Sequence, residues 1–117
     1  MGTPGSARGD LRRAVVRRGD ICWLEVEEAG RRPVCVLTRQ AALPVLKSVL
    51  VAMVTGTVRD IPTEVPLGPV DGMPRPCAVT LDNLRTVPRA LLTERITTLS
   101  GAKMHDLCAA LNRATGC

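Results

Sequence analysis

Two residues able to do chemistry sit at the ends of neighbouring apolar runs. In "GRRPVCVLTR" (30–39) Arg32 stands immediately before Pro33, and in "SVLVAMVTGT" (48–57) Thr55 closes the run just before Gly56. Pro33 lacks a backbone N–H and disfavours helix at the residue before it, so a strand is predicted to begin at Pro33, with Arg32 held extended at its entrance. If residues 34–38 and 49–55 pair antiparallel, the start of one lies beside the end of the other, and Arg32 and Thr55 meet at one rim of the sheet. A guanidinium on a stiff support, with a hydroxyl beside it, suits bidentate contact to a phosphate. The same pair also fits an edge arginine packing its stem and a turn threonine bonding backbone. Hairpin geometry alone leaves both readings open.

Other chemistries find little material. His105 is the only histidine, which removes any two-histidine site within one chain, and its place beside an apolar helical stripe reads as a solvated or boundary residue. The acidic residues lack D-x-D-x-D-G spacing, and neither a P-loop nor a G-x-G-x-x-G motif is present, so no metal or nucleotide cofactor is expected. Five cysteines (Cys22, Cys35, Cys77, Cys108 and Cys117) form an odd set without C-x-x-C spacing. They read as small hydrophobes in a reducing compartment rather than as a disulfide frame or zinc site.

Composition narrows the class further. A chain of 117 residues is one domain, and with 45% apolar but only 1% aromatic residues its core must be aliphatic. Trp23 is the lone aromatic residue and reads as a core or interface residue. So few rings argue against nucleic-acid binding by stacking. The formal charge of +5 is uneven: residues 1–18 carry five arginines against one aspartate, leaving 11 basic and 10 acidic residues for the rest. A local basic site, not global charge, must carry any claim of anion binding. Fourteen of the sixteen basic residues are arginine, which suits phosphate contact or reflects GC-rich coding. No apolar run approaches the roughly 18 residues of a membrane span, and no signal-peptide core is visible, so a soluble, cytoplasmic protein is expected.

The elements that would position the pair follow from periodicity. Residues 1–16 are Gly-, Arg- and Ser-rich and read as a disordered extension, with the folded domain over 17–117. An "RGD" triplet occurs at Arg8–Asp10 and again at Arg18–Asp20, as chance allows in an Arg/Gly-rich chain. Strands are predicted in "DICWLEV", "PVCVLTR", "SVLVAMVTGT", "PTEVPL" and "PCAVTLDN", the later ones confined to edges or strand ends by prolines 62, 66, 76 and 88. Short strands with brief turns imply a small, strongly bent sheet or barrel. "PRALL" (88–92) reads as a helical turn. Ser100 can cap a final helix whose stripe is Met104, Leu107, Cys108 and Leu111, ended by Gly116. The fold class is thus mainly β with helices.

"RRGDICWLEV", "GRRPVCVLTR", "VLVAMVTGT", "TEVPLG", "AVTLDNLRTV", "RITTLS" and "MHDLCAALNRATG" together resemble, in order, the MazF/PemK (Kid) family of toxin endoribonucleases. The R-P-V and L-D-N-L-R-T-V elements are the more specific parts, and the likeness runs from about Arg17 to the C-terminus. It implies an SH3-like barrel of the CcdB/PemK type, a homodimer, and metal-independent, sequence-selective cleavage of single-stranded RNA, whether mRNA, tRNA or rRNA, by 2′-OH attack. It implies a cognate antitoxin as partner. By position, Arg32 and Thr55 match the family's catalytic arginine and threonine, and Asp82 matches a carboxylate used in the Kid branch. The arginine of that branch two positions earlier is Thr80 here. Arg31, Arg85 and Thr86 are the further expected RNA contacts. The first hairpin loop, "EEAGR", is shorter than the usual family form and has no histidine. Two rivals stay open: a CcdB-like gyrase-binding toxin, and a non-catalytic SH3-like module.

Overall fold

The apolar runs become strands buried on both faces. A computed structural model describes residues 16–28 and 30–116; most of the expected N-terminal extension, and Cys117, lie outside the described residues. Six strands, β1 (Asp20–Val26), β2 (Gly30–Val36), β3 (Ser48–Thr55), β4 (Glu64–Leu67), β5 (Cys77–Pro88) and β6 (Leu92–Thr98), precede one helix, α1 (Gly101–Thr115). They form one antiparallel sheet in the order β4-β5-β3-β2-β1-β6, curled into a half-barrel.

One face packs Ile21, Cys35, Ala52, Val54, Val79 and Leu81 against Leu107 and Ala110 of α1. The other gathers Cys22, Leu24, Val34, Val36, Val49, Val51, Met53, Val87 and Leu92 around Leu43 from the β2–β3 connection. Double-sided burial explains why β2 and β3 read as nearly unbroken aliphatic runs rather than as alternating patterns. Val16 is buried in the second cluster, so the folded body begins before Arg17.

The helix ends follow their chemistry. Ser100 Oγ accepts the Lys103 backbone N–H at 3.2 Å, and Gly116 closes the helix in the left-handed region at φ 74°. The stripe differs by one position from expectation. Leu107 and Ala110 are buried with Met104, Leu111 and Ala114 packed beside them, while Cys108 is exposed. Ala110, being small, lets the helix approach the sheet, and that turns Cys108 outward. His105 is exposed, as read. Burial pushes the Cys22 and Cys35 thiols up to about 12, so neither supplies a thiolate at neutral pH.

Two strand boundaries also differ. Strand β2 starts at Gly30, not Pro33, because the short hairpin loop brings Gly30 opposite Val26, with Gly30 itself at φ +81°. Arg32 is therefore inside the ladder, opposite Leu24. Residues 92–98, which carry no clean alternation, form β6 against β1. "PRALL" does contain a single 3-10 turn, Arg89–Leu91.

A buried acid ties the first strand to the last. Asp20 is fully buried, and its carboxylate accepts the Arg17 backbone N–H at 2.9 Å, Arg95 Nε at 3.1 Å and the Thr98 hydroxyl at 2.6 Å. Charge and both oxygens are thus satisfied, the condition for a carboxylate to be buried at all.

Candidate active site

The expected pairing of β2 with β3 holds in register. Val34 lies opposite Met53, Cys35 opposite Ala52 and Val36 opposite Val51; continued two residues, this ladder sets Arg32 across from Thr55. Strand alternation then puts Arg32, Val34 and Val36 on the same face as Val51, Met53 and Thr55.

The adjacent arginines separate for the same reason. Arg31 points to the other face, where its guanidinium lies 4.2 Å above the Trp23 ring and its Nη1 meets Glu94 at 3.2 Å. Arg31 is a strut joining β1, β2 and β6, and Arg32 is left exposed, without hydrogen bond or ion pair among the described residues. Trp23 is half-buried beneath Arg31. It also lines a groove with Pro33, Met73, Arg75, Pro76 and Ile96 that reaches Thr55 from the opposite side.

Asp82 reaches the site through a bulge. Between Ala52, opposite Leu84, and Met53, opposite Thr80, the β3–β5 register jumps, so Leu81, Asp82 and Asn83 bulge out of β5. Leu81 N–H bonds the Thr63 carbonyl at 2.9 Å, and the Thr63 hydroxyl donates to Asp82 Oδ2 at 2.5 Å. Arg32, Thr55, Arg59, Thr80 and Asp82 consequently line one cleft of about 350 Å³. Thr55 Oγ1 accepts the Thr57 backbone N–H at 3.1 Å, which leaves its hydroxyl hydrogen available to an acceptor in the cleft.

The remaining expected residues divide. Arg85 stands opposite Val51, on the same face as Thr55 but further along the strand, and does not line the cleft. Thr86 stands opposite Leu50 and so projects from the other face. Arg59 falls in no motif, and Glu64 enters only as part of the predicted strand "PTEVPL": the turn "RDIPTE" marks a loop before that strand and says nothing about what it faces. Among the described residues, no group of three or more His, Cys, Asp or Glu side chains could hold a metal ion. No helix there is long and apolar enough to cross a membrane.

Chemically, the cleft offers a guanidinium unpaired among the described residues, a hydroxyl donor and a carboxylate around a volume of about 350 Å³. Residues 17–115 match the family model described as "PemK-like, MazF-like toxin of type II toxin-antitoxin system". The chain is 44% identical over 105 residues to "Probable endoribonuclease MazF5" of Mycobacterium tuberculosis, covering 89% of this chain and 96% of that one. It is 39% identical over 103 residues to "Probable endoribonuclease MazF2" of the same species, covering 87% and 100%. Among solved structures, "Mycobacterium tuberculosis toxin MazF-mt6" superposes with a TM-score of 0.76 at 35% identity, over 83% of this chain and 96% of that one. "Endoribonuclease in complex with its cognate antitoxin from Mycobacterial species" gives 0.78 at 27% identity, over 86% and 95%. With the fold, the motif order and nearly the whole folded length in agreement, the chain belongs to the PemK-like, MazF-like family of type II toxin–antitoxin toxins.

Proposed function

We propose that the protein is the toxin of a type II toxin–antitoxin pair, an endoribonuclease that cuts single-stranded RNA at the cleft holding Arg32, Thr55 and Asp82. The observation that carries this reading is the convergence of three distant segments, one of them through a bulge, on a single cleft. The names of the relatives support the same activity and lend nothing to a gyrase binder or a passive module.

RNA brings its own nucleophile. The 2′-OH attacks the adjacent phosphorus, the P–O5′ bond breaks, and a 2′,3′-cyclic phosphate and a 5′-hydroxyl result. The protein must hold the attacking oxygen in line and stabilise the charge that builds on the phosphoryl oxygens. Arg32 grips two of those oxygens with its fork, and Thr55 donates its free hydroxyl hydrogen to one. A guanidinium is a poor proton acceptor, so Asp82 is the better acceptor for the 2′-OH proton. Its Oδ1 has no hydrogen bond among the described residues, while Thr63 steadies Oδ2. Arg85, further along the same face, would meet the RNA backbone beyond the cut; Arg31 contributes through its contacts to Trp23 and Glu94, and Thr86, exposed on the other face, would meet RNA only outside the cleft.

The test is incubation with a mixed RNA pool in excess EDTA, followed by mapping of new 5′ ends. Cutting should continue unchanged at a restricted set of sequences and stop when the cognate antitoxin is added. Loss in EDTA with recovery on added Mg²⁺ or Zn²⁺ would overturn the mechanism.

A homodimer belongs to the same proposal. One body with 13 basic and 10 acidic residues from Val16 onward gives modest attraction for RNA, and two copies sharing a groove would join their basic rims. Light scattering at micromolar concentration should read about twice the 12.5 kDa chain mass. A monomer cutting RNA at full rate would exclude a shared groove.

A further inference from the structure

Arg59 belongs to none of the motifs above, yet it lines the cleft with Arg32, Thr55 and Asp82. Its placement has a dedicated support. Glu64, the first residue of β4, has a side chain only 1% exposed. It accepts Arg59 Nε at 2.9 Å, a second contact from Arg59 Nη2, and the Arg59 backbone N–H at 3.3 Å. A carboxylate buried this far is costly unless paired. Its ion-pair partner is an arginine whose own side chain is 55% exposed. An ordinary surface ion pair joins two mobile, solvated chains. Here the anion is fixed in the sheet and the cation leans out over the cleft.

The fork geometry leaves an edge to spare. Nε and Nη2 are taken by Glu64, and Nη1 has no partner among the described residues. Hydrogen bonding to Glu64, and the charges of Glu64 and Asp82, raise the Arg59 pKa further, so the cation is permanent. A fixed cation with a free donor edge, beside an acid it does not bond, is equipped to hold a second anion. We propose that Arg59 clamps a backbone phosphate adjacent to the scissile one, with Glu64 as its positioning residue. This inference rests on the RNA reading and deepens it: the substrate is gripped at two successive phosphates, one by Arg32 and Thr55 and the next by Arg59.

The test uses an RNA oligonucleotide spanning the mapped cut site, made uncleavable by 2′-deoxy substitution at the attacking nucleotide. Each linkage in turn is replaced by a neutral methylphosphonate, and Kd is measured. With the parent protein, neutralising one linkage beside the scissile bond should weaken binding about tenfold, as expected for a charge-assisted hydrogen bond. In the Arg59→Gln/Glu64→Gln double variant, which retains an amide pair and buries no charge, the same replacement should change Kd by less than about threefold. Arg59→Lys should lose the same linkage effect while holding its Glu64 contact, and it serves if the double variant does not fold. A linkage profile identical in the parent and these variants would overturn the assignment. A parent that cuts no RNA at all would instead overturn the functional reading.

Discussion

Replacing Arg32 by alanine should lower the rate of RNA cleavage by about 10²–10³-fold, the range for losing one preorganised transition-state donor. That loss corresponds to about 2.7–4 kcal/mol of barrier. The folded state should hardly notice. Arg32 is exposed and has no partner among the described residues, so its removal belongs with surface changes worth within about 0.5 kcal/mol. Single-turnover cleavage alongside thermal unfolding separates the two effects. A folded Arg32→Ala protein cutting within threefold of the parent rate would remove Arg32 from the chemistry.

Asp20→Ala should do the reverse. The substitution leaves the Thr98 hydroxyl, the Arg17 N–H and a contact of Arg95 without their acceptor inside the fold. Breaking a buried ion pair from one side costs about 3–5 kcal/mol, and the Arg95 side chain, 37% exposed, is solvated enough to favour the low end of that range. For a body of this size, about 3 kcal/mol lowers Tm by more than about 10 °C, a large part of a typical stability. Calorimetry at matched protein concentration reads it, since association would otherwise shift Tm. A change below about 1 kcal/mol would mean that the buried carboxylate is dispensable.

The parts of this molecule legible in its sequence are those set by local rules. Pairing of two consecutive aliphatic runs brought Arg32 toward Thr55 because antiparallel strands joined by a short connection align start against end. Ser100 and Gly116 announced a helix through capping chemistry that acts within four residues. The face chosen by α1 was misjudged at Cys108, since apolar character alone does not say which of two neighbouring positions meets the sheet. What escaped altogether depended on distance. The bulge at 81–83 is a mismatch between β5 and β3, and neither strand carries a sign of it alone. Arg59 became part of the site only when the β3–β4 connection folded over β5. Asp20 opens the predicted strand "DICWLEV", and nothing local marks its partners Arg95 and Thr98, which lie 75 and 78 positions away.

Strand alternation sent Arg31 up onto Trp23, and this has an optical consequence. The chain contains one tryptophan and neither tyrosine nor phenylalanine, so its ultraviolet emission comes from a single ring. That ring sits beneath a guanidinium, in a groove that touches Thr55 from the side opposite the cleft. A guanidinium displaced from the indole, or a ligand entering the groove, alters the polarity around one chromophore with no background from any other. Occupancy of that groove, or loss of the Arg31 contact, should therefore change the native protein's emission colour and lifetime, and it can be followed in real time without a label.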